Sequence, residues 1–394
     1  MVCRTFLTAV RLLTKMVMIQ IKSFLVSCFD KALALLPKQK KVVFVNFFGR
    51  GYGDNPKYIA EEIIRQSLPY KLVWLVNDMQ SFFPKKIKKV KYYSLKCRYN
   101  LATARVIVSN AKGKLPYIKS KSQFYIQTWH GGFPLKYIEK EAESELSVEY
   151  VQESKFDSSI TDLILSGSDF QTKIIQDSFW YNGEIFKKGI PRNDIFFNST
   201  IESINNLKKD YGFTETHKIV LYAPTFRDDN NTEAYQLDVN GLLEALREKT
   251  NDTWKLVIRL HPIAESQSSI FEYNENVING SKYGDPQDLL LISDLLITDY
   301  SSTMMDFGIM GKPVLLFAKD LENYVSRCRG LRPIFYQLPF ELCKTNEELQ
   351  SKVMNFDYND YNNKLTQFLK DQYMSYDDGN ASKSVVERIK EYMG

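Results

Sequence analysis

A chain of 394 residues is too long for one ordinary hydrophobic core and predicts two domains. Its hydrophobic fraction of 44% and charged fraction of 25% are those of a globular protein and exclude a disordered, collagen-like or repetitive chain. The net charge of +5 is concentrated in the first third, which predicts a polyanionic partner such as nucleic acid, anionic lipid or a phosphorylated substrate. A merely solvated basic face is the alternative. The five cysteines form no CxxC motif, which favours a reducing compartment and argues against a structural zinc site, so we predict no metal.

Residues 1–36 have the pattern of an amphipathic helix. One stripe at helical spacing is polar and basic, and the opposite face is apolar: Arg4, Thr8, Arg11, Lys15 and Lys22 against Phe6, Leu7, Val10, Leu13, Val17, Ile21 and Phe24. No uncharged run approaches the ~20 residues that span a bilayer. The pattern therefore predicts a helix lying in the membrane interface, with a helix packed on the protein's own core as the alternative. Lys15 and Lys22 would interrupt the apolar core of a signal peptide and argue against one.

Apolar runs rich in β-branched residues alternate with helical stretches after Pro37. In the first half they predict strands at 42–47, 71–76, 105–109, 123–127 and 163–166. A turn at 51–55 follows the first run, and Pro56 is predicted to open a helix. Two lysine clusters in this half extend the predicted membrane-facing surface: Lys85, Lys86, Lys88, Lys89 and Lys91, then Lys112, Lys114, Lys119 and Lys121.

A second series of apolar runs predicts strands at 219–222, 255–259, 295–298 and 313–317. Strands alternating with helices form parallel sheets, so we predict an α/β fold with two Rossmann-like, doubly wound domains and a cleft between them. The polar segment Ser199–Asp210 is the predicted junction. The predicted units are thus a helix over 1–36, a first domain over 37–200, and a second domain over 201–394 that includes C-terminal helices.

Reactive side chains follow the predicted strands, where ligands bind in open parallel sheets. Two of the three histidines, His130 and His261, follow a strand in the first and second domain respectively, whereas His217 precedes a strand and is predicted at the surface. A single histidine in a turn would be weak evidence for a site. Two of them, one in each domain, predict a site in the interdomain cleft.

The second domain adds groups suited to phosphate. Ser301 and Ser302 precede a predicted helix, whose N-terminus binds phosphate well. Arg227 and Arg259 follow neighbouring strands and could neutralise a diphosphate. A histidine from the other domain could then act as general base on an incoming hydroxyl, as in phosphoryl-type transfer. The chain has no P-loop, GxGxxG, Asp-x-Asp or HExxH motif, which disfavours nucleotide hydrolases, dehydrogenases and metal-dependent transferases.

Seven short motifs carry a resemblance to a known family. They occur in this order: Gly53–Lys57 (GDNPK), Thr128–Gly131 (TWHG), Pro134–Lys136 (PLK), Gly189–Asp194 (GIPRND), Tyr222–Arg227 (YAPTFR), Arg259–Pro262 (RLHP) and Thr298–Ser302 (TDYSS). Together, over roughly residues 42–330, the chain resembles the CDP-glycerol glycerophosphotransferases, the primases and polymerases of teichoic acids and related bacterial polymers. Many members read Trp-His-Gly-Thr-Pro-Leu-Lys, whereas this chain is one residue longer after Gly131, and we expect its acceptor side to differ there.

The resemblance implies a GT-B fold, a CDP-glycerol or CDP-ribitol donor bound by the second domain, and a prenyl-diphosphate-linked acceptor met by the first domain at the cytoplasmic face of the membrane. It implies that His130 deprotonates the acceptor hydroxyl, which attacks the β-phosphorus and releases CMP. His261 is the second implied catalytic residue and holds the donor phosphates. The other implied donor-binding residues are Thr225, Arg227, Arg259, Asp299, Ser301 and Ser302, with Asp299 orienting its loop. The implied acceptor-side residues are Asp54, Asn55, Trp129, Gly131 and Lys136.

Two other functions remain as alternatives at this point. A GT-B glycosyltransferase using a nucleotide sugar is disfavoured because the second domain lacks a pair of glutamates eight positions apart. A non-enzymatic module that binds membranes or nucleic acid would explain the lysines but not the strand-end histidines, and we predict no nucleic-acid partner. The sequence does not separate glycerol from ribitol, or a primase from a polymerase.

Overall fold

The computed structural model describes Met18 and residues 24–113, 115–117, 119–227, 232–327 and 330–394. Residues 24–34 form a helix, α1, which ends two residues before the predicted boundary at residue 36. Residues 1–17 and 19–23 of the predicted amphipathic helix lie outside the described residues. No helix among the described residues is long and apolar enough to cross a membrane.

Two parallel sheets form the framework, as predicted. The first has seven strands in the order β3-β2-β1-β4-β5-β6-β7 and the second has six in the order β10-β9-β8-β11-β12-β13. The strands of the first sheet are β1 Gln39–Val45, β2 Lys71–Val76, β3 Ile87–Lys91, β4 Ala104–Ser109, β5 Phe124–Gln127, β6 Leu163–Ser166 and β7 Glu184–Lys187. Those of the second are β8 Lys218–Tyr222, β9 Trp254–Ile258, β10 Val277–Asn279, β11 Leu295–Thr298, β12 Val314–Phe317 and β13 Glu341–Cys343. Nine of these strands were predicted from the sequence, and β3, β7, β10 and β13 were not.

Helices flank the sheets in a GT-B-like arrangement. After α1 they are α2 Asp54–Arg65, α3 Leu95–Thr103, α4 Val148–Ile160, α5 Asp169–Ser178, α6 Asp194–Asn198, α7 Ile201–Asp210, α8 Val239–Thr250, α9 Pro286–Ile292, α10 Thr303–Gly308, α11 Leu321–Arg327, α12 Asn346–Met354, α13 Tyr358–Phe368 and α14 Ala381–Met393. The helix predicted to open at Pro56 begins two residues earlier, at Asp54. The polar segment predicted as the junction contains α7, which starts at a capping box formed by Thr200 and Ser203.

The final helix α14 returns from the second domain to the first. Its residues Val385, Val386 and Ile389 are fully buried in the same cluster as Val42 and Val106 of the first sheet. The sequence-based division had placed residues 201–394 together, whereas this helix packs with the first domain. The chain therefore passes between the two domains twice.

Polar contacts join the domains. Lys57 of α2 lies 2.6 Å from a carboxylate oxygen of Asp285, and the hydroxyl of Tyr58 donates to the same oxygen at 3.0 Å. On another side of the cleft, Arg332 pairs with Glu141. These contacts hold the second domain against the strand ends of the first.

The interpretation of Lys112 as part of a basic surface is wrong. Its side chain is buried, with the ammonium group 3.4 Å from a carboxylate oxygen of Glu139 and 2.7 Å from the hydroxyl of Ser158. Burial lowers the pKa of Lys112, although Glu139 opposes that shift. Because charged groups inside a protein must be paired, Lys112 serves the interior of the first domain. Lys119 is also mostly buried and pairs with Asp162 at 2.8 Å, and Lys114 lies outside the described residues. In contrast, Lys85, Lys86 and Lys88 are exposed.

Candidate functional site

The turn after β5 has a strained backbone, which hydrogen bonds and packing contacts hold in place. Trp129 has a φ of 53°, which is unusual for a residue with a side chain. Its N–H donates to Oε1 of Gln127 at 3.0 Å, and its carbonyl accepts from Nδ2 of Asn55 at 2.9 Å. Its buried indole packs edge-on against Phe179, with the ring centres 5.1 Å apart. These contacts fix the backbone that presents the next residue, His130.

The imidazole of His130 is oriented by one hydrogen bond. Its Nδ1 lies 2.9 Å from the carbonyl oxygen of Asn110. Because a carbonyl only accepts, the bond assigns the proton to Nδ1 and leaves the Nε2 lone pair available. Burial lowers the pKa of His130, and Arg192 acts in the same direction, whereas the Asn110 carbonyl and Asp54 oppose them. A neutral imidazole with a free Nε2 can accept a proton.

Asp54 and Asn55 lie beneath this turn, and both side chains are buried. Asp54 accepts from Nδ2 of Asn110 at 2.8 Å and from Nη1 of Arg192 at 3.0 Å. Asn55 accepts from the Arg192 N–H at 3.1 Å and supports Trp129. The resemblance had implied acceptor contacts for Asp54, Asn55 and Trp129, and the structure gives these side chains internal partners that position the turn.

His261 stands opposite, after β9 of the second domain. The residue is exposed, and its ring lies 4.9 Å from the ring of Phe226. The pKa of His261 is lowered to about 4. Partial burial is the largest cause, the positive charges of Arg50 and Lys136 come next, and His130 and Arg259 have smaller effects in the same direction. The first domain thus contributes Arg50, Lys136 and His130 around a histidine of the second, which makes this part of the cleft suited to an anion.

Lys136 reaches the second domain through the segment that follows the histidine turn. Its backbone forms an antiparallel bridge with Leu331, and its ammonium group lies 5.0 Å from the centre of the Tyr324 ring. The additional residue of this segment relative to the family pattern falls at Gly132 and Phe133. Phe133 is fully buried, with its ring centre 4.7 Å from that of Phe170. The segment is therefore anchored at both ends.

Arg227 has a different environment from the one predicted. Its side chain is buried, and its guanidinium pairs with Asp299 at 2.8 Å and with Asp320 at 2.7 Å. The two carboxylates hold the pKa of Arg227 above its ordinary value against the effect of burial. A guanidinium that binds two carboxylates joins the loops of the second domain, and its contact with a diphosphate stays a prediction.

Asp299 joins the loops that follow β8 and β11. One of its oxygens accepts from the N–H of Thr225 at 2.8 Å and from the N–H of Tyr300 at 2.6 Å, and the other binds Arg227. The buried carboxylate thereby fixes the backbone on which Thr225 lies. Its position is that of a residue that orients its loop.

Arg259, Ser301 and Ser302 lie at the remaining strand ends of the second domain and are partly exposed. Nη1 of Arg259 donates to the carbonyls of Gly280 and Tyr283, at 2.9 Å and 2.7 Å. Ser302 is the N-cap residue of α10 and its side chain makes no capping bond. These groups share the second-domain wall of the cleft with His261.

The family model for CDP-glycerol:poly(glycerophosphate) glycerophosphotransferase matches residues 28–391. The chain belongs to this family of transferases. Its fold also resembles a solved structure of the wall teichoic acid polymerase TagF, a histidine-to-asparagine variant soaked with CDPG, with a TM-score of 0.83 at 29% identity and 93% coverage of each chain.

Curated relatives of this glycerophosphotransferase family member include enzymes named for teichoic acid synthesis. A teichoic acid glycerol-phosphate transferase of Staphylococcus aureus is 31% identical over 374 residues, which are 91% of this chain and 95% of that protein. A teichoic acid poly(glycerol phosphate) polymerase of Staphylococcus epidermidis is 31% identical over 366 residues. That match covers 89% of this chain but only 50% of the polymerase, so the chain spans about half the length of that relative.

Several residues of the candidate site were not identified from the sequence. Arg50 and Asn110 follow the strands β1 and β4, so the strand-end rule could have found them. Arg192 lies within the GIPRND motif, but no role had been assigned to it. No sequence pattern marks Asp306, because only its ion pair with Arg192 in the folded protein connects it to the site. Among the described residues no cluster of His, Cys, Asp and Glu could hold a metal ion.

Proposed function

We propose that this protein transfers glycerol phosphate from CDP-glycerol to a hydroxyl of a prenyl-diphosphate-linked acceptor, in teichoic acid or related polymer synthesis, and releases CMP. The observation that carries the proposal is the pair of histidines facing across the cleft. His130 has its Nδ1 bound to a carbonyl and its Nε2 free, and His261 lies among Arg50, Lys136 and Arg259. These contacts support a proton acceptor on the first domain and a cationic site for phosphate on the second.

In the proposed step, Nε2 of His130 takes the proton from the acceptor hydroxyl. The oxygen forms a bond to the β-phosphorus of the donor, which carries the glycerol. The bond from that phosphorus to the bridging oxygen breaks, and CMP leaves with the bridging oxygen and the electron pair. Negative charge that builds on the phosphate and on CMP is stabilised by Lys136, Arg259 and the N–H of His261. The proton on His130 then returns to solvent.

The alditol and the acceptor belong to the same proposal. Glycerol is preferred to ribitol because the family description and both relatives named above refer to glycerol phosphate. The acceptor hydroxyl would enter from the first domain, beside Gly131, where a side chain would meet Nε1 of Trp129 at 3.0 Å. Incubation with CDP-glycerol, CDP-ribitol and UDP-sugars in turn, with release of CMP or UDP as the readout, tests the proposal. It separates a glycerol phosphate transferase from a ribitol phosphate transferase and from a nucleotide-sugar glycosyltransferase.

Membrane attachment is also part of the proposal, with the first domain facing the cytoplasmic leaflet as a peripheral protein. Helix α1 supports it: Phe29 packs on the first domain, while Phe24 is 68% and Leu25 61% exposed on the same helix. Residues 1–23 would extend this surface with the basic stripe. The exposed residues Lys85, Lys86 and Lys88 lie on the same domain and would add attraction to anionic lipid.

The central test replaces His130 with alanine. Loss of a general base costs on the order of 10²–10⁴ in rate, so turnover should fall by that factor while CDP-glycerol still binds. His217→Ala is the matched control, because this third histidine lies away from the cleft and contacts the backbone N–H of Thr214. Stopped-time assays of CMP release and calorimetric titration of the donor give the two readouts. Near-normal turnover of His130→Ala would overturn the assignment.

A further inference from the structure

Three buried charges cross from the first domain to the second. The guanidinium of Arg192 binds Asp54 at 3.0 Å in the first domain and Asp306 at 2.9 Å in the second. All three side chains are less than a tenth exposed. We call them the Arg192 triad. Burying charges rarely stabilises a fold more than apolar residues of the same volume would, so stability alone does not account for this arrangement.

The first-domain end of the triad holds His130 from two directions. Nη1 of Arg192 donates to the carbonyl of His130 at 2.6 Å. Asp54 accepts from Nδ2 of Asn110, and the carbonyl of Asn110 is the partner of the His130 ring. The backbone and the imidazole of His130 are thus both tied to the same buried network.

The other end of the triad lies in the second domain, close in sequence to Ser302, which is predicted to bind the donor phosphates. Asp306 lies in α10, four residues after Ser302, its N-cap residue. Four residues are about one helical turn, so Asp306 and Ser302 move together as parts of one rigid element. Gly132 passes close by: a Cβ on this residue would lie 3.4 Å from Oδ1 of Asp306 and 3.6 Å from Nη2 of Arg192. The turn that carries His130, which we call the base turn, and α10 are therefore packed against the same guanidinium.

We propose that Arg192 is a positioning residue, which holds the His130 base in fixed register with the phosphate-binding side of the cleft. This inference rests on the proposed function, since it assumes that His130 is the base. Its physical reason is the fork of the guanidinium, which can satisfy two carboxylates and a carbonyl at once. A lysine in its place would keep the charge but could not make all of these bonds. The transfer step depends on such register, because a displacement of about 1 Å can cost about 10²-fold in rate.

The triad also acts on His130 through charge. Asp54 and Glu139 favour the protonated imidazole, Arg192 disfavours it, and His261 faces it from the second domain. Removing the positive charge of Arg192 should therefore raise the pKa of His130, and removing the negative charge of Asp54 should lower it. Opposite shifts from two members of one network are not expected from a general loss of structure.

The first experiment measures His130 without reference to activity. The chain has three histidines, so ring signals of histidine-labelled protein can be assigned by substituting each one in turn. Titration of the full-length protein should give a higher pKa for His130 in Arg192→Gln and a lower one in Asp54→Asn. If either variant fails to fold, Arg192→Lys keeps the network testable through the kinetics below. Unchanged values in folded Arg192→Gln and Asp54→Asn would overturn the electrostatic part of the proposal.

The second experiment separates position from charge. In Arg192→Lys we expect kcat to fall about 10²-fold, with little change in KM for CDP-glycerol and no change in the acid limb of the pH profile. Lys57→Gln is the matched control, because it weakens the interdomain contact with Asp285 without touching His130. It should lower kcat far less. Equal losses of kcat in the two variants would show that the triad acts only as a contact between the domains, and would overturn the positioning role of Arg192.

The two hypotheses fail in different ways. If His130→Ala keeps its turnover, the base assignment is wrong whatever the titrations give. If His130→Ala is inactive but Arg192→Lys turns over at the normal rate, the base stands and the positioning role of Arg192 falls.

Discussion

At the scale of single residues, the cleft combines cations with imidazoles that are neutral at neutral pH. The pKa of His261 is lowered to about 4 by partial burial and by the charges of Arg50 and Lys136. A diphosphate bound at this point would counter those charges and favour a protonated ring. The same side chain can therefore be uncharged while the site is empty and become a cationic partner when the donor arrives.

We predict that CDP raises the pKa of His261. Binding then takes up protons, so the affinity for CDP should weaken as the pH rises through the raised value, above the pKa of about 4 in the free protein. Titration of the His261 ring signal with and without saturating CDP measures the shift, and calorimetry in two buffers measures the protons taken up. Cytidine, which lacks phosphate, is the control. An unmoved His261 signal at saturating CDP would place the phosphates elsewhere.

The positions of the site residues could be predicted better than their roles. His130 and His261 could be found because both follow buried strands. Arg227 also follows one, yet it lies against Asp320, a residue 93 positions away in the sequence. Whether an arginine faces a ligand or a buried carboxylate depends on such distant partners, which no local pattern contains. The same reason hid the role of Arg192, whose partner Asp306 is 114 positions away.

At the scale of secondary structure, the strands divide by their place in the sheets. The nine predicted strands are the interior ones, and the four missed strands, β3, β7, β10 and β13, are the four edges. Interior parallel strands are covered on both faces and consist of nearly continuous apolar runs. Edge strands are short or mix charges with apolar residues, as in the IKKVK of β3, because an exposed edge must resist pairing with other chains. The sequence signal is therefore weakest where a sheet ends.

Helix α14 provides a prediction at this scale. Its apolar face covers the first sheet, so Ile389→Ala should destabilise that domain by about 2–5 kcal/mol. Amides of β1 and β4 should exchange faster with deuterium, whereas those of β8 and β11 should change little. Lys383→Ala on the exposed face of the helix is the control and should stay within about 0.5 kcal/mol of the parent protein. Faster exchange confined to the second sheet would contradict the assignment of α14 to the first domain.

At the scale of the whole molecule, the two domains are joined by buried charges and by two passages of the chain. The first domain contributes the base turn and the exposed apolar residues of α1, and the second contributes His261 and Arg259. A lipid-linked acceptor and a soluble nucleotide donor would thus meet from opposite sides. Under the proposed function, this arrangement predicts that the first domain lies at the bilayer surface.

Removal of residues 1–23 tests the membrane arrangement and leaves the packed residues Phe29 and Leu33 in place. Four basic residues are lost, each contributing ~1 kcal/mol near an anionic surface, so binding to anionic vesicles should fall at least about tenfold. Co-sedimentation at low and high salt measures the loss. Turnover should fall more with a long-chain prenyl acceptor than with a short soluble analogue.

The control for this truncation is the double variant Lys249→Gln and Lys370→Gln. It removes exposed positive charge from the second domain and should sediment like the parent protein. If the truncated protein still sediments fully at high salt, the amphipathic segment is not the anchor.

The return of α14 to the first sheet has a consequence for the order in which the domains fold during synthesis. In topological terms the second domain is nested inside the first, since the chain leaves the first domain, builds the second and comes back. A ribosome makes the chain in order, and domains generally fold as they emerge. Here α2 covers part of the sheet face that carries Val42 and Val106, and the part under α14 stays uncovered until the entire second domain has been synthesised. The domain that begins first is completed last, and during that interval the apolar surface that α14 will cover is a target for a chaperone.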